Sequence, residues 1–162
     1  MPADALSWGM RQALAYLVLC LSALPAFAQD FEVIDGDTLK APWSERFRIV
    51  GIDAPELGQQ CERNATPYPC GQEARQALTR LLRGKEVVCA SEGKDRYGRT
   101  LAVCYADGED VGGAMVGLGW ALAYRRYSTA YVAAEDEARA GKRGMWAGRF
   151  TEPWAWRAEQ RN

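Results

Sequence analysis

The sequence predicts an α+β domain with a mainly β core, a small five-stranded barrel carrying three helices. Short runs rich in strand-formers are separated by strong turn signals. Segments of helical periodicity are inserted among these runs and appended after them. The chain left after its first 28 residues is the size of one domain with room for a real core.

Those 28 residues read as a cleaved leader. Residues 13–24 are almost wholly apolar and follow Arg11, and Ala26-Phe27-Ala28 gives a small-x-small cleavage site before Gln29. The apolar run is too short to span a bilayer. Cutting 28 of 162 residues leaves 134, residues 29–162, as one domain. The expectation is export to the periplasm or the medium, with no membrane attachment after cleavage, as a monomer.

Each element has its own signal. Residues 31–34 form a first strand, and Asp35-Gly36 turns it. Residues 38–40 resume as a second strand, and Pro42-Trp43-Ser44 turns again. Residues 46–52 form a third strand, stopped by Pro55. Residues 57–69 read as an irregular polar loop. Ala74, Ala77, Leu78, Leu81 and Leu82 recur at helical spacing, and Gly84 stops that helix. Residues 86–89 and 99–105 are the fourth and fifth strands. Residues 111–124 read as a second helix rich in small residues. A third starts near Ser128 as N-cap, with Tyr131, Ala134 and Ala138 on one face. Arg139, Lys142 and Arg143 sit near its end, and Gly144 closes it. A tail with Trp146, Trp154 and Trp156 packs back on the body. Five short strands with helices inserted and appended suggest a barrel of the OB type.

Composition excludes several functions. The leader holds one Asp and one Arg, so its loss leaves the net charge at −1. A near-neutral chain is no general binder of nucleic acid, and any affinity for phosphate has to be local. The chain has no histidine, which removes Ser-His-Asp and Cys-His catalysis. Proton transfer then falls to carboxylates, lysines or tyrosines. Cys61, Cys70, Cys89 and Cys104 remain after the leader. No Cys-x-x-Cys pair exists, so a zinc site is not expected. An even number in an exported chain reads as two disulfides, for which three pairings are possible. Cys61–Cys70 and Cys89–Cys104 each close a short local segment and are the expected pairs.

The chemistry concentrates in two places. Asp35-Gly36-Asp37-Thr38 precedes Arg48 and Gly51-Ile52-Asp53-Ala54-Pro55-Glu56 by a short strand. An EF-hand loop starting at Asp35 fails, because its twelfth position is Arg46 and not Glu. Asp37 becomes a metal ligand only with a second carboxylate, and Asp53, at a strand end, can supply it. Alternation puts Arg46, Arg48 and Val50 on one face. The planar fork of Arg48 suits paired phosphate oxygens. Glu56 can position or activate a water. Further on, Asp95-Arg96-Tyr97-Gly98-Arg99 places Arg99 at the start of a strand. From there it can oppose Arg48 across a phosphate and stabilise extra negative charge in a transition state.

In this order, together with Gly144-Met145-Trp146, these residues make the chain resemble the staphylococcal nuclease (thermonuclease) family over roughly residues 31–150. The resemblance implies a five-stranded OB-type barrel with three helices. It implies calcium-dependent endonucleolysis of DNA and RNA that leaves 3′-phosphate ends. Asp37 and Asp53 would bind Ca2+ with the Ala54 backbone carbonyl, and Mg2+ suits the same oxygen donors. Arg48 and Arg99 would clamp the scissile phosphate, and Glu56 would serve the attacking water as base or orienter. Arg96, which replaces a frequent family Lys, would contact phosphate. Tyr97 and Tyr124 would contact the nucleotide. The competing reading is an inactive module that binds nucleic acid or protein through the same barrel. Such modules are expected to have lost acids or arginines, and here the set is complete.

Overall fold

A computed structural model describes residues 31–161. The expected leader, residues 1–28, lies outside the described residues. The polypeptide enters through β1 (Glu32–Val33), β2 (Thr38–Lys40) and β3 (Arg46–Ile49), joined antiparallel in sequence order. After β3 the backbone turns at Gly51, whose φ of 76° favours glycine, into β4 (Ile52–Asp53). A two-stranded excursion follows, β5 (Cys61–Arg63) and β6 (Thr66–Tyr68), leading into α1 (Cys70–Leu82). The chain returns as β7 (Val87–Lys94), β8 (Thr100–Ala106) and β9 (Glu109–Asp110).

The main sheet runs β1-β2-β3-β8-β7, with β9 added on β8. β3 and β8 pair in parallel, while the other neighbours are antiparallel. These five main strands are the five expected from the sequence, and they curl into the OB-type half-barrel. Leu39, Phe47, Ile49, Ala102 and Cys104 point inward and meet Leu78 of α1. Val111, Met115 and Val116 of α2 (Val111–Gly117) complete this core.

Several segments differ from expectation. The third strand ends at Ile49 rather than at residue 52, and the fourth runs on to Lys94 instead of giving way to a polar connection after residue 89. Residues 57–69 are not wholly irregular: β5 and β6 form a hairpin through Asn64 and Ala65, both at positive φ (51° and 60°). The helix expected to reach residue 124 stops at Gly117, and Gly119 lies at φ 75°. Its last residues form β10 (Leu122–Ala123) instead, which pairs with β4. α3 (Val132–Ala140) starts later than Ser128, whose hydroxyl accepts from the Ala130 amide in a preceding turn. Gly141 rather than Gly144 caps that helix. The Trp-rich tail packs back as expected and adds a fourth helix, α4 (Pro153–Glu159), with proline in its first turn where no amide partner is lost.

A second, smaller core lies beneath the tail: Cys61, Cys70, Leu122 and Met145, flanked by Trp146, Phe150 and Trp154. Both expected disulfides are present. Cys61–Cys70 ties β5 to the start of α1, and Cys89–Cys104 joins directly opposed residues of β7 and β8. Two disulfides fit an oxidising compartment. Among the described residues no helix is long and apolar enough to cross a membrane.

Candidate active site

The β1–β2 loop is held tightly by its own side chains. Asp35 Oδ1 accepts from the Asp37 amide at 3.0 Å. Gly36 sits where a Cβ would meet those of Ala54 (2.6 Å) and Ala74 of α1 (2.9 Å). The glycine is therefore required for close approach, which brings Asp37 against the end of β4. There the Ala54 amide donates to Asp37 Oδ2 at 2.7 Å.

Arg48 bridges the two acids. Its Nη1 lies 2.7 Å from Asp37 Oδ2 and its Nη2 lies 2.8 Å from Asp53 Oδ1. Asp53 is wholly buried and Asp37 nearly so. Burying carboxylates is costly unless cations and hydrogen bonds compensate. For Asp37 compensation falls short. Burial pushes its carboxyl well above the usual range despite Arg48, and Asp35 and Asp53 push the same way. The pair attracts positive charge, and one cationic group already converges on both. Carboxylates are donors that a hard divalent ion takes, together with carbonyl and water oxygens. Among the described residues no three or more His, Cys, Asp or Glu cluster as a metal centre. An ion here would therefore have two carboxylates and would fill its shell from backbone and solvent.

Glu56 follows on the turn after Pro55, and a fully buried glutamine fixes that turn. Gln59 Oε1 accepts from the Glu56 amide (3.3 Å), and Gln59 Nε2 donates to the Thr151 carbonyl (2.7 Å). Gly71 of α1 packs so close that a Cβ would overlap the Glu56 carbonyl. The Glu56 carboxylate is about one-third exposed and meets Arg157 of α4. Arg157 also covers both oxygens of Asp53, with Nη2–Oδ2 at 2.7 Å and Nη1–Oδ1 at 3.0 Å. Burial opposes the charge on Arg157, but its hydrogen bonds to Asp53 and Glu56 outweigh that and hold its pKa above the ordinary value.

Arg99 comes to the same cleft from the residue just before β8. Parallel pairing sets Arg48 beside Leu101, so Arg99 lies two residues back on the same face. Its Nε binds Asp95 Oδ2 at 2.8 Å, and Asp95 Oδ1 accepts from the amides of Tyr97 and Arg99. Burial opposes ionisation of Asp95. The hydrogen bonds from the Arg99 side chain and from these amides prevail, and its pKa lies below the usual value. Tyr97 is exposed, with the guanidinium groups of Arg96 and Arg99 at 4.9 and 5.8 Å from its ring centre. Tyr124 is placed by the new strand β10, its amide donating to the Gly51 carbonyl at 2.8 Å. Its ring stacks on Trp154 of α4 at 5.5 Å.

Asp37, Arg48, Glu56, Arg96, Tyr97, Arg99, Tyr124 and Arg157 line one open cleft of about 1350 Å³. Eight Lys or Arg and five Asp or Glu line it, so a chain of net charge −1 carries a locally positive groove. The sequence reading missed Gln59 and Arg157. Neither belongs to a local motif, and Arg157 lies 104 residues from Asp53.

A family model described as "Staphylococcal nuclease homologue" matches residues 46–148. The chain belongs to the staphylococcal nuclease family. Three bacterial relatives align along most of their own length. The "Micrococcal nuclease" of Shigella flexneri is 36% identical over 93% of this chain and 94% of its own. The "Protein ParB" of Escherichia coli is 34% identical over 96% and 95%. An "Uncharacterized endonuclease" of Haemophilus influenzae is 35% identical over 91% and 85%. The family match covers Arg48 to Glu56 and Arg99, but not Asp37 or Arg157, which lie on either side of it.

Proposed function

We propose that the protein is a calcium-dependent endonuclease that cleaves phosphodiester bonds of DNA or RNA and leaves 3′-phosphate ends. The observation that carries this reading is the meeting of Asp37 and Asp53 on one cationic group, with Glu56 and Arg99 in the same positive cleft. Asp37, Asp53 and the Ala54 carbonyl would hold Ca2+, or Mg2+ in its place. The bound ion would supply Lewis-acid stabilisation of charge on the phosphate.

The protein groups divide the remaining work. Arg48 donates to Asp53 and to the Ile49 carbonyl and forms an ion pair with Asp37. A guanidinium carries five N–H donors, so others remain for phosphate oxygens in the cleft. Arg99, braced by Asp95, presents a second fork from the neighbouring strand. Two such forks stabilise the charge that grows on the phosphate as water attacks. Glu56, partly exposed and pinned by its turn, accepts the proton of that water, and without histidine no imidazole competes for the role. Arg96 contacts backbone phosphate. Tyr97 and Tyr124 offer ring faces to bases, a contact that tolerates any sequence. The leader, residues 1–28, would direct residues 29–162 to the periplasm or the medium as a monomer.

Cleavage of single- and double-stranded DNA and RNA by residues 29–162, with Ca2+, Mg2+ or chelator, tests the reading. Activity is expected with divalent ion and not with chelator, with phosphate on the 3′ side of each cut. Glu56→Gln and Arg48→Ala are each expected to lower kcat by about 100-fold or more, the scale for losing a charge-stabilising donor or a general base. A chain inert with every ion that still binds oligonucleotide is the inactive module instead. Full rates in both variants would refute the site assignment while leaving the activity intact.

A further inference from the structure

Arg157 stands where a metal and a catalytic carboxylate meet. Its guanidinium occupies both oxygens of Asp53, and the same Nη1 reaches Glu56 Oε1 at 2.8 Å. A cation held there has two opposed effects. It competes with any other cation for Asp53, which weakens metal binding. It also locks the rotamer of Glu56, the carboxylate that receives the water's proton, and so favours the reaction geometry.

An arginine that only anchors a helix is the plain alternative. α4 does not need it for that. Its buried first-turn Pro153, the Trp154–Tyr124 stack and the Gln59–Thr151 hydrogen bond already fix the helix at its N-terminal end. Charge also counts Arg157 as part of the site. Arg99 is matched by Asp95. Asp37, Asp53 and Glu56 with one phosphodiester make four negative charges. Arg48, a divalent ion and Arg157 make four positive ones, and without Arg157 the loaded site carries an excess anion.

We propose that Arg157 is a positioning residue of the nuclease, one that orders Glu56 for the reaction while opposing metal binding at Asp53. This rests on the metal-dependent reading above. The test is calorimetric titration of Ca2+ into substrate-free wild type, Arg157→Gln, Arg157→Lys and Trp154→Ala, alongside kcat and KM on DNA. Removing the positive charge in Arg157→Gln is expected to tighten Ca2+ binding about threefold or more, as an anionic site gains affinity for cations. In the same variant kcat is expected to fall about 10- to 100-fold, the usual cost of losing a supporting partner, with KM nearly unchanged. Arg157→Lys keeps the charge and is expected to recover part of kcat and most of the wild-type Ca2+ affinity. Trp154→Ala loosens α4 without removing charge and is expected not to tighten Ca2+ binding.

Unchanged or weaker Ca2+ binding in Arg157→Gln, or a wild-type kcat in it, overturns the proposal. Should Arg157→Gln fail to fold, Arg157→Lys decides, because a structural anchor and a positioning group differ in whether kcat falls at unchanged thermal stability. A wild type that binds no Ca2+ sinks the metal reading instead, and the kcat of Arg157→Gln then judges the positioning role by itself.

Discussion

Single charged groups here are defined by which partners share them. Arg48 and Arg157 both serve Asp53, so a wholly buried carboxylate sits between two guanidinium groups. Asp95 plays the matching part for Arg99, and its depressed pKa has a consequence for stability. A carboxylate with a folded pKa below its unfolded value stabilises fully above the unfolded value, near 4, and loses that contribution as pH falls through the folded one. Urea midpoints of the wild type are therefore expected to fall as pH drops below about 4. Asp95→Asn cannot ionise and is expected to show a shallower acid slope together with a lower midpoint at pH 7. An equally steep slope in the variant would show that Asp95 has no part in it. Much of this level was legible in the sequence. Asp37, Asp53, Glu56, Arg48 and Arg99 lie within short motifs, and it is the family resemblance that assembles them into one site. Arg157 was not, because its meaning depends on a helix folding back across the whole chain. Gln59 was hidden for a different reason: a buried glutamine looks like any loop glutamine until its two partners are seen.

Elements were readable where hydrophobic period and turn chemistry agreed, and obscure where tertiary pairing overrode them. β1, β2, β3, β7 and β8 follow their β-formers, and α1 follows its apolar stripe to Gly84. β10 could not be read, since Leu122–Ala123 becomes a strand only by pairing with Ile52–Asp53. That pairing delivers Tyr124 to the cleft. The β5–β6 hairpin was obscure because its turn uses the wrong residue. Two consecutive positive φ values favour Asn-Gly, and this chain has Asn64-Ala65. Alanine in the left-handed region costs about 1–2 kcal/mol, whereas glycine there loses about 0.4–1 kcal/mol more unfolded-state entropy. Ala65→Gly is therefore expected to stabilise by about 0.5–1 kcal/mol, raising Tm by a few degrees. Calorimetric melting at pH 7 measures this, and a lower Tm would show that the turn is not strained. Activity is expected to be unchanged, since the turn lies at the far end of the hairpin from Glu56.

At the scale of the molecule, the barrel and the tail are two cores with separate staples. Cys89–Cys104 crosses β7 and β8 in the barrel, while Cys61–Cys70 sits in the second core beneath Trp146 and Trp154. By loop-closure entropy, separations of 15 and 9 residues are each worth about 3 kcal/mol. A domain of this size has only about 5–15 kcal/mol in total, so neither bridge is spare. Their positions nonetheless assign them different tasks. Cys70 opens α1, and its sulfur lies 3.5 Å from the carbonyl of Gln59, the residue that fixes the Glu56 turn. Cys89–Cys104 is remote from Glu56 in sequence and joins strands already paired along seven registered positions. The double variant Cys89→Ser/Cys104→Ser is thus expected to lose about 3 kcal/mol in urea unfolding while keeping wild-type kcat at 20 °C, well below its melting point. Cys61→Ser/Cys70→Ser is expected to lose a similar amount and also to lower kcat about tenfold or more, as a misplaced catalytic group does. Comparing the two pairs at equal folded fraction separates stability from positioning. Equal kcat in both would show that the Cys61–Cys70 bridge stabilises the tail without shaping the site.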